Sequence, residues 1–306
     1  MTTYLIHKAV EFDAMTAKAK KLLGVSTVEE LAAIYDMQHK YDGCNAIVQL
    51  PGISSDPLVH SRTGELVTSC QHIGRSLRML LQTRLLRGER FVVLGEVWHH
   101  RQQQRKTNGD FRRADPSPHL QFAAFDLLTM EEFEAGHSDR PYKERYSVLH
   151  SYLRGFTTTD CVFLAATYHA GTYPSSVRVG AKELVSRGGY DGLILRDPRA
   201  GWTAGSGSNG EIVKVKDEVS FDLLVTGVEE GKGKLAGHAG KLVCTFKDGT
   251  VIKVAGGTYA DRKAWFEDPA LIVGKIVKVE ALERFPNGQL REPRMTEVRT
   301  DKETHD

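Results

Sequence analysis

Lys40-Tyr41-Asp42-Gly43 leads into the apolar run Ala46-Ile47-Val48, so a lysine stands just ahead of an acid and a glycine at the mouth of a strand. An unprotonated lysine amine is a nucleophile, and a polar pocket built for phosphate is one setting that presents it. The chemistry open to Lys40 is the transfer of a nucleotide onto its side chain. A Lys-Asp pair in an ordinary turn is the plainer alternative, since charged residues are common in turns. Glu96 lies inside Phe91-Val92-Val93-Leu94-Gly95-Glu96-Val97-Trp98, where a carboxylate is costly unless it is paired, liganded or facing water from an edge strand. Gly95 beside it allows another group to come close. Phe125, in Phe122-Ala123-Ala124-Phe125-Asp126, is either core or a platform on which a base could stack.

Asp191 precedes a glycine at the start of a strand, in Tyr190-Asp191-Gly192-Leu193-Ile194-Leu195-Arg196. Lys214 and Lys216 are two apart in Ile212-Val213-Lys214-Val215-Lys216, which puts both amines on one face of a strand. Like charges side by side repel unless an anion lies between or above them, or water screens them at an edge. Arg299-Thr300-Asp301-Lys302 reads alone as a polar tail. Gly231-Lys232-Gly233-Lys234 is not a P-loop, because the glycine spacing is wrong and no Ser or Thr follows Lys232.

The elements that must carry these residues follow from pattern. Residues 11–36 read as helical, with Ser26-Thr27-Val28-Glu29 as a capping box opening a helix through Leu31, Ile34 and Tyr35. Phe91–Trp98 and Leu120–Leu128 read as strands, Tyr142–Leu153 as a helix with Tyr146, Leu149 and Leu153 on one face, and Leu193–Leu195 and Ile212–Val213 as strands. Residues 200–210, rich in Gly and Ser, read as a surface loop. From about Val219 short strands recur (Phe221–Val228, Lys241–Phe246, Val251–Val254, Lys275–Ala281), with a helix around Asp261–Phe266. That texture predicts a small β-barrel such as an OB-fold, with a domain boundary near residue 218: 1–218, then 219–306.

At 306 residues two domains are the expectation, and 41% hydrophobic with 26% charged residues excludes a disordered chain. The net charge of +2 means that a nucleic-acid partner would be met by a local patch. The best candidate runs from His99 to Arg113 and includes Arg101, Arg105, Lys106, Arg112 and Arg113; a solvated basic loop is the alternative. Cys44, Cys70, Cys161 and Cys244 are far apart, which argues against a zinc site or a disulfide framework. The N-terminus lacks a signal-peptide core and no apolar run is long enough for a bilayer, so a cytoplasmic protein without membrane association is expected.

Taken in order, Lys-x-Asp-Gly, the Gly-Glu strand, Phe-Asp, Asp-Gly before a strand, Lys-x-Lys and Arg-x-Asp-Lys resemble the signature motifs I, III, IIIa, IV, V and VI of the covalent nucleotidyltransferases. The closest resemblance is to the small phage-type ATP-dependent DNA ligases. Ser61-Arg62-Thr63-Gly64, Arg140-Pro141-Tyr142-Lys143-Glu144-Arg145 and Gly288-Gln289-Leu290-Arg291-Glu292-Pro293-Arg294 resemble further stretches of that family. The likeness runs from about residue 36 nearly to the end. Two departures stand out: Asn45 occupies a position where the family usually has a phosphate-binding arginine, and Asp191 one where it usually has Glu.

The resemblance implies an α+β fold: a nucleotidyltransferase domain of ATP-grasp-like antiparallel sheets with helices, then an OB-fold β-barrel. It implies that Lys40 attacks the α-phosphate of ATP to become lysyl-AMP, that AMP passes to the 5′-phosphate of nicked double-stranded DNA, and that the 3′-hydroxyl seals the break, in replication, repair or recombination. Lys40, Asp42, Arg299, Asp301 and Lys302 would be catalytic. Gln38 and the backbone at His39 would face the adenine edge, Phe125 would stack on the base, Glu96 would bind the ribose, and Arg62, Lys214 and Lys216 would hold phosphate. Mg²⁺ or Mn²⁺ would fall to Asp191, with Glu96 as the second candidate. A minimal ligase acting as a monomer in a bacterial or phage-infected host cytoplasm is expected. An RNA ligase or mRNA capping guanylyltransferase of the same superfamily, and a non-catalytic OB-containing DNA-binding protein, are the rivals.

Overall fold

A computed structural model describes residues 5–100, 102, 104–154, 161–205, 207, 209–217, 219–285 and 287–306. The chain divides into two compact units, Met1–Lys216 and Asp217–Asp306. Along the first run β1 (Val10–Glu11), α1 (Ala17–Leu23), α2 (Val28–Ala32), β2 (Asp36–Tyr41), β3 (Cys44–Leu50), β4 (Leu58–Ser61), α3 (Gln71–Leu80), α4 (Gln82–Leu85) and β5 (Phe91–Trp98). There follow α5 (Gln104–Arg112), β6 (Gln121–Thr129), α6 (Met130–Ala135), β7 (His137–Ser138), α7 (Tyr142–Leu153), β8 (Val162–Leu164), β9 (Thr167–Tyr168), α8 (Val177–Arg187), β10 (Tyr190–Arg196), β11 (Trp202–Thr203) and β12 (Ile212–Val215).

Two five-stranded sheets result, ordered β1-β12-β10-β2-β9 and β4-β3-β5-β6-β8. Pairing is antiparallel except for β1 with β12 and β6 with β8. On the first sheet Met37, Leu193, Leu195 and Val213 pack against Val28 and Leu31 of α2 and Ala181 and Leu184 of α8. Side chains alternate across a strand, so Gln38, Lys40, Ile194, Arg196, Lys214 and Lys216 all take the other face of that sheet. On the second sheet Val93 and Val97 pack with Ile73, Leu77, Phe111 and Leu149, while Val92, Leu94 and Ile47 form a second cluster on the opposite face. The strand that carries Glu96 is therefore central and covered on both sides, which excludes a water-facing edge.

Two readings of local structure are corrected. Residues 11–36 are not one helical region: α1 ends at Gly24, whose φ of +67° suits glycine, and the segment starts and finishes in strand. The capping box is Thr27 with Glu30, one residue later than expected, and α2 stops at Ala32. The loop around 200–210 is not wholly surface either. Trp202 is 1% exposed because β11 pairs with β7 and brings the indole under Ile47, Leu94 and Leu128.

The second unit contains β13 (Val219–Glu230), β14 (Ala239–Thr245), β15 (Val251–Val254), α9 (Tyr259–Glu267), β16 (Ile276–Ala281), β17 (Glu283–Arg284), β18 (Leu290–Arg291) and β19 (Arg294–Arg299). The main sheet is ordered β15-β14-β13-β16-β19. Register shifts within β13 and between Lys278 and Val279 bend the strands. A parallel bridge between Ala255 and Arg294 joins the two ends of the sheet. Leu223, Val225, Ile252, Val254, Val277 and Val279 fill the barrel, with Trp265 of α9 packed against them.

Candidate active site

The Lys40 motif works by alternation. Lys40 takes one face of β2, while Tyr41 turns to the other and is 7% exposed, edge-on to Trp98 with ring centroids 5.1 Å apart. The strand then reverses at Gly43, where a Cβ would lie 2.1 Å from the Val97 carbonyl and 3.0 Å from Glu96 Cγ. Only glycine permits that approach, and the approach draws β5, with Glu96, up beside β2.

The Lys40 amine contacts Asp191 Oδ2, and Lys216 Nζ reaches the same oxygen at 3.4 Å. Asp191 is placed there by a bulge. Tyr190 pairs with Tyr41 and Gly192 with Lys40, which leaves Asp191 as the extra residue. Gly192 must be glycine: its φ is +118°, and a Cβ would sit 2.0 Å from the Val215 carbonyl. Lys214, on the same face, pairs with Glu11 Oε1 at 3.2 Å. The repulsion between the two lysines is thus met by one carboxylate each.

On the second sheet Asn45, Glu96 and Ala123 are direct cross-strand neighbours. Burial pushes the Glu96 carboxyl up to about 8 against the pull of Lys40, with Asp42 and Asp191 raising it further. Glu96 therefore lies within electrostatic reach of Lys40, Asp42, Asp191 and Arg62. Among the described residues Asn45 Oδ1 is buried with no donor, and this neutral amide supplies no charge for phosphate. Arg62 is exposed on the turn after β4, and its carbonyl accepts from Leu5 N–H at 3.0 Å. Asp42 donates its backbone N–H to the Gly189 carbonyl at 3.0 Å.

Phe125 is a second bulge residue. Leu94 pairs with Asp126 and Gly95 with Ala124, so Phe125 is left over in β6 and is only partly buried. The group that approaches Gly95 is the Phe122 ring, 2.3 Å from where a Cβ would stand; this glycine serves packing and does not make room for a ligand. Arg196 lies over the Phe125 ring at 4.5 Å and donates from Nε to Gln38 Oε1 at 2.6 Å. Gln38 in turn donates to Tyr142 Oη and Thr167 Oγ1, both at 2.8 Å. Both amide N–H groups are thus hydrogen-bonded within the protein. The His39 backbone N–H is likewise taken by the Ala166 carbonyl at 3.2 Å, and its ring packs edge-on to Tyr190, away from Lys40.

Sequence reasoning missed several supporting residues. Arg196 and Ile194 share the Lys40 face by register. Arg145 and Asp126, each 2% exposed, form a bidentate pair at 2.9 and 3.0 Å beneath the Phe125 bulge. The Arg-x-Tyr-x-x-Arg spacing from residue 140 was the available signal, but its acidic partner is far away in sequence. In the second unit Arg299 chelates Asp301 at 2.8 and 2.7 Å. The Arg299 hydrogen bonds hold the Asp301 carboxyl at about 2. Asp222 joins both Arg299 and Lys302, each at 3.3 Å.

Of the basic patch, Arg101 lies outside the described residues. Arg105, Lys106, Arg112 and Arg113 are exposed on and just after α5, a helix where a loop was the alternative. Asp110, fully buried, anchors Lys106 at 2.9 Å, His119 at 2.9 Å and Arg113. Burial would raise the Asp110 carboxyl, but hydrogen bonds from Lys106 and His119 and the charge of Arg113 draw it down to about 2.

Residues 14–216 match the family model described as ATP dependent DNA ligase domain. The chain belongs to that ligase family. Residues 230–299 of this ligase-family chain match the DNA ligase OB-like domain, in agreement with the barrel. It is 26% identical over 212 residues to a DNA ligase of Halobacterium salinarum, a stretch covering 60% of this chain and 36% of that one. The chain thus spans about a third of the length of such curated relatives. A solved Lig E DNA ligase superposes with a TM-score of 0.66 at 18% identity, covering 96% of this chain and 98% of the other. The ATP-dependent DNA ligase of bacteriophage T7, solved with ATP, gives 0.54 at 19% identity and the same coverage of each chain. At these identities the likeness speaks for the fold. Among the described residues no helix is long and apolar enough to cross a membrane.

Proposed function

We propose that the chain is an ATP-dependent DNA ligase that seals nicks through a lysyl-AMP intermediate. The observation that carries this reading is Lys40 itself: its amine contacts a bulged carboxylate, shares that carboxylate with Lys216, and lies within reach of the half-buried Glu96. In the first step Lys40 gives up a proton, for which Asp191 Oδ2 is the acceptor in contact. Its lone pair attacks the α-phosphorus, a P–N bond forms, and the bond to the β-phosphate breaks with its electrons leaving on pyrophosphate. Lys214, Lys216 and Arg62 would stabilise charge on the phosphate oxygens. Phe125 would carry the adenine and Glu96 the ribose hydroxyls. Arg299, Asp301 and Lys302 of the second unit would serve the leaving pyrophosphate, with Asp42 near the nucleophile.

In the second step the 5′-phosphate oxygen of the nick takes AMP from Lys40 and the P–N bond breaks. In the third the 3′-hydroxyl attacks the activated phosphate and AMP departs. Nicked duplex would be gripped through its phosphates by Arg105, Lys106, Arg112 and Arg113, without base readout.

Among the described residues no group of three or more His, Cys, Asp or Glu gathers to cage a metal. Mg²⁺ needs no such cage, because it is commonly held by one or two carboxylates, waters and substrate phosphates. Asp191, with Glu96 near it, fits that donor set, and Mn²⁺ would fit equally. The ion would neutralise phosphate charge.

Incubation with α-labelled ATP or GTP, followed by denaturing gel analysis, tests the reading. Label from ATP on the wild type, lost in Lys40→Ala together with nick sealing, is expected. Label from GTP alone would indicate a capping-type enzyme, and sealing by Lys40→Ala would refute the mechanism.

A further inference from the structure

The ligase reading assigns Arg299 and Lys302 to the pyrophosphate but leaves open what presents them. Arg299 ends β19 and Lys302 lies beyond it, where a polar segment would fray. Both are instead tied to Asp222, which sits on β13, two strands from β19 across β16. Register puts Asp222 opposite Lys278, and Lys278 opposite Glu297, two residues before Arg299. Asp222 alternates with the core residues Leu223 and Val225, so its carboxylate projects from the outer face of the barrel, 14% exposed. One oxygen takes Arg299 Nη1 and the other takes Lys302 Nζ, both at 3.3 Å.

The backbone of Asp222 is fastened as well. Its N–H donates to Asp306 Oδ2 and its carbonyl accepts from Asp306 N–H, both at 2.7 Å. The segment from Arg299 to Asp306 is therefore closed at each end on the strand that bears Asp222. Donor geometry fits a supporting role. Arg299 spends one N–H each from Nε and Nη2 on Asp301 and one from Nη1 on Asp222. Among the described residues Nη1 and Nη2 each keep a second N–H, and Lys302 keeps donors of its own, for an external anion.

We propose that Asp222 is the positioning residue that holds Arg299 and Lys302 together as a preassembled diphosphate-binding pair for the nucleotide-transfer step. It touches no reacting atom; it acts by fixing two flexible cations before the anion arrives, and outer partners that orient metal ligands in the same way carry about 10–100-fold in activity, the scale expected of Asp222.

The test compares wild type, Asp222→Asn, Asp222→Glu and Asp222→Ala in the full chain. Three rates are measured: lysyl-AMP formation from α-labelled ATP, its reversal by added pyrophosphate, and sealing of a duplex whose nick is already adenylylated. Asp222→Asn is expected to slow lysyl-AMP formation about tenfold or more and to weaken pyrophosphate in the reversal by a similar factor. Sealing of the adenylylated nick and the melting temperature should stay near wild type. Asp222→Glu, which keeps the charge, should recover most of the loss. Equal slowing of all three reactions, or unchanged lysyl-AMP formation in Asp222→Asn, overturns the proposal. If the Asn form melts early, the Glu and Ala forms decide, and equal rates in those two also overturn it. Absence of label on the wild type would instead remove the ligase reading on which this inference rests.

Discussion

Replacing Asp126 by Ala should destabilise the first unit without removing a group that touches the chemistry. Asp126 and Arg145 are each 2% exposed, and the carboxylate receives Arg145 Nε and Nη2 at 2.9 and 3.0 Å. Without Asp126 the guanidinium keeps, among the described residues, the Arg140 and Ala200 carbonyls. Leaving a buried charge without its partner costs about 3–5 kcal/mol. For a unit of this size each kcal/mol moves the melting temperature by about 2–4 °C, so the transition should fall by about 6–20 °C. The paired change Asp126→Leu with Arg145→Met removes both charges and should recover at least half of that loss. It will not recover all, because Asp126 also accepts from Leu127 N–H at 2.9 Å. Thermal unfolding followed by circular dichroism reads both quantities. A single variant that melts within about 2 °C of wild type, or a double variant that melts no higher than the single, would refute the argument. Because Asp126 neighbours the Phe125 bulge, the same variants should also raise the ATP concentration needed for labelling Lys40.

Three further outcomes follow from the geometry. Glu96 has a folded pKa of about 8 against an ordinary 4.5, so the folded state binds its proton more tightly. That contribution is complete below about pH 4.5 and is lost as pH rises to about 8; a Glu96→Gln melting curve should therefore lack a slope of up to about 1.4 kcal/mol per pH unit in that window, and parallel curves would refute the assignment. Gly192→Ala forces a Cβ to within 2.0 Å of the Val215 carbonyl at a φ of +118°, and should cost about 3 kcal/mol or more and abolish labelling at Lys40; a folded, fully labelled variant would show that the bulge is not required. Arg105→Ala and Arg112→Ala should each weaken duplex binding alike for unrelated sequences and lower the slope of log K against log salt by about 1, whereas an unchanged slope would take the α5 surface out of the DNA contact.

Elements with their own internal signals were legible in the sequence. The helix Tyr142–Leu153 was read to its ends, since a proline precedes it and its apolar residues recur at helical spacing. Val251–Val254 was likewise read to the residue. The stretch from 11 to 36 was misread because its apolar residues suit a helix throughout, while Gly24 in the left-handed region breaks the chain there. The resemblance implies that Gln38 faces the adenine edge, but the partners its amide finds in the fold, Tyr142 and Thr167, lie more than a hundred residues away and carry no local signal. Asp222 carried no signal at all, being one acid in an alternating strand.

The sequence by itself determined the order and chemical types of the stretches around Lys40, the OB-type texture of the last third, and the faces onto which Lys214 and Lys216 fall. Those properties depend on neighbours along the chain and on the period of a strand. Only the tertiary structure decided that Asp191 and Phe125 are the extra residues of bulges, that Gly43 draws Glu96 up to Lys40, and that Asp222 gathers Arg299 and Lys302. Each of these depends on register between strands distant in sequence, where a shift of one residue turns a side chain to the opposite face. That register is set by the packing of whole sheets.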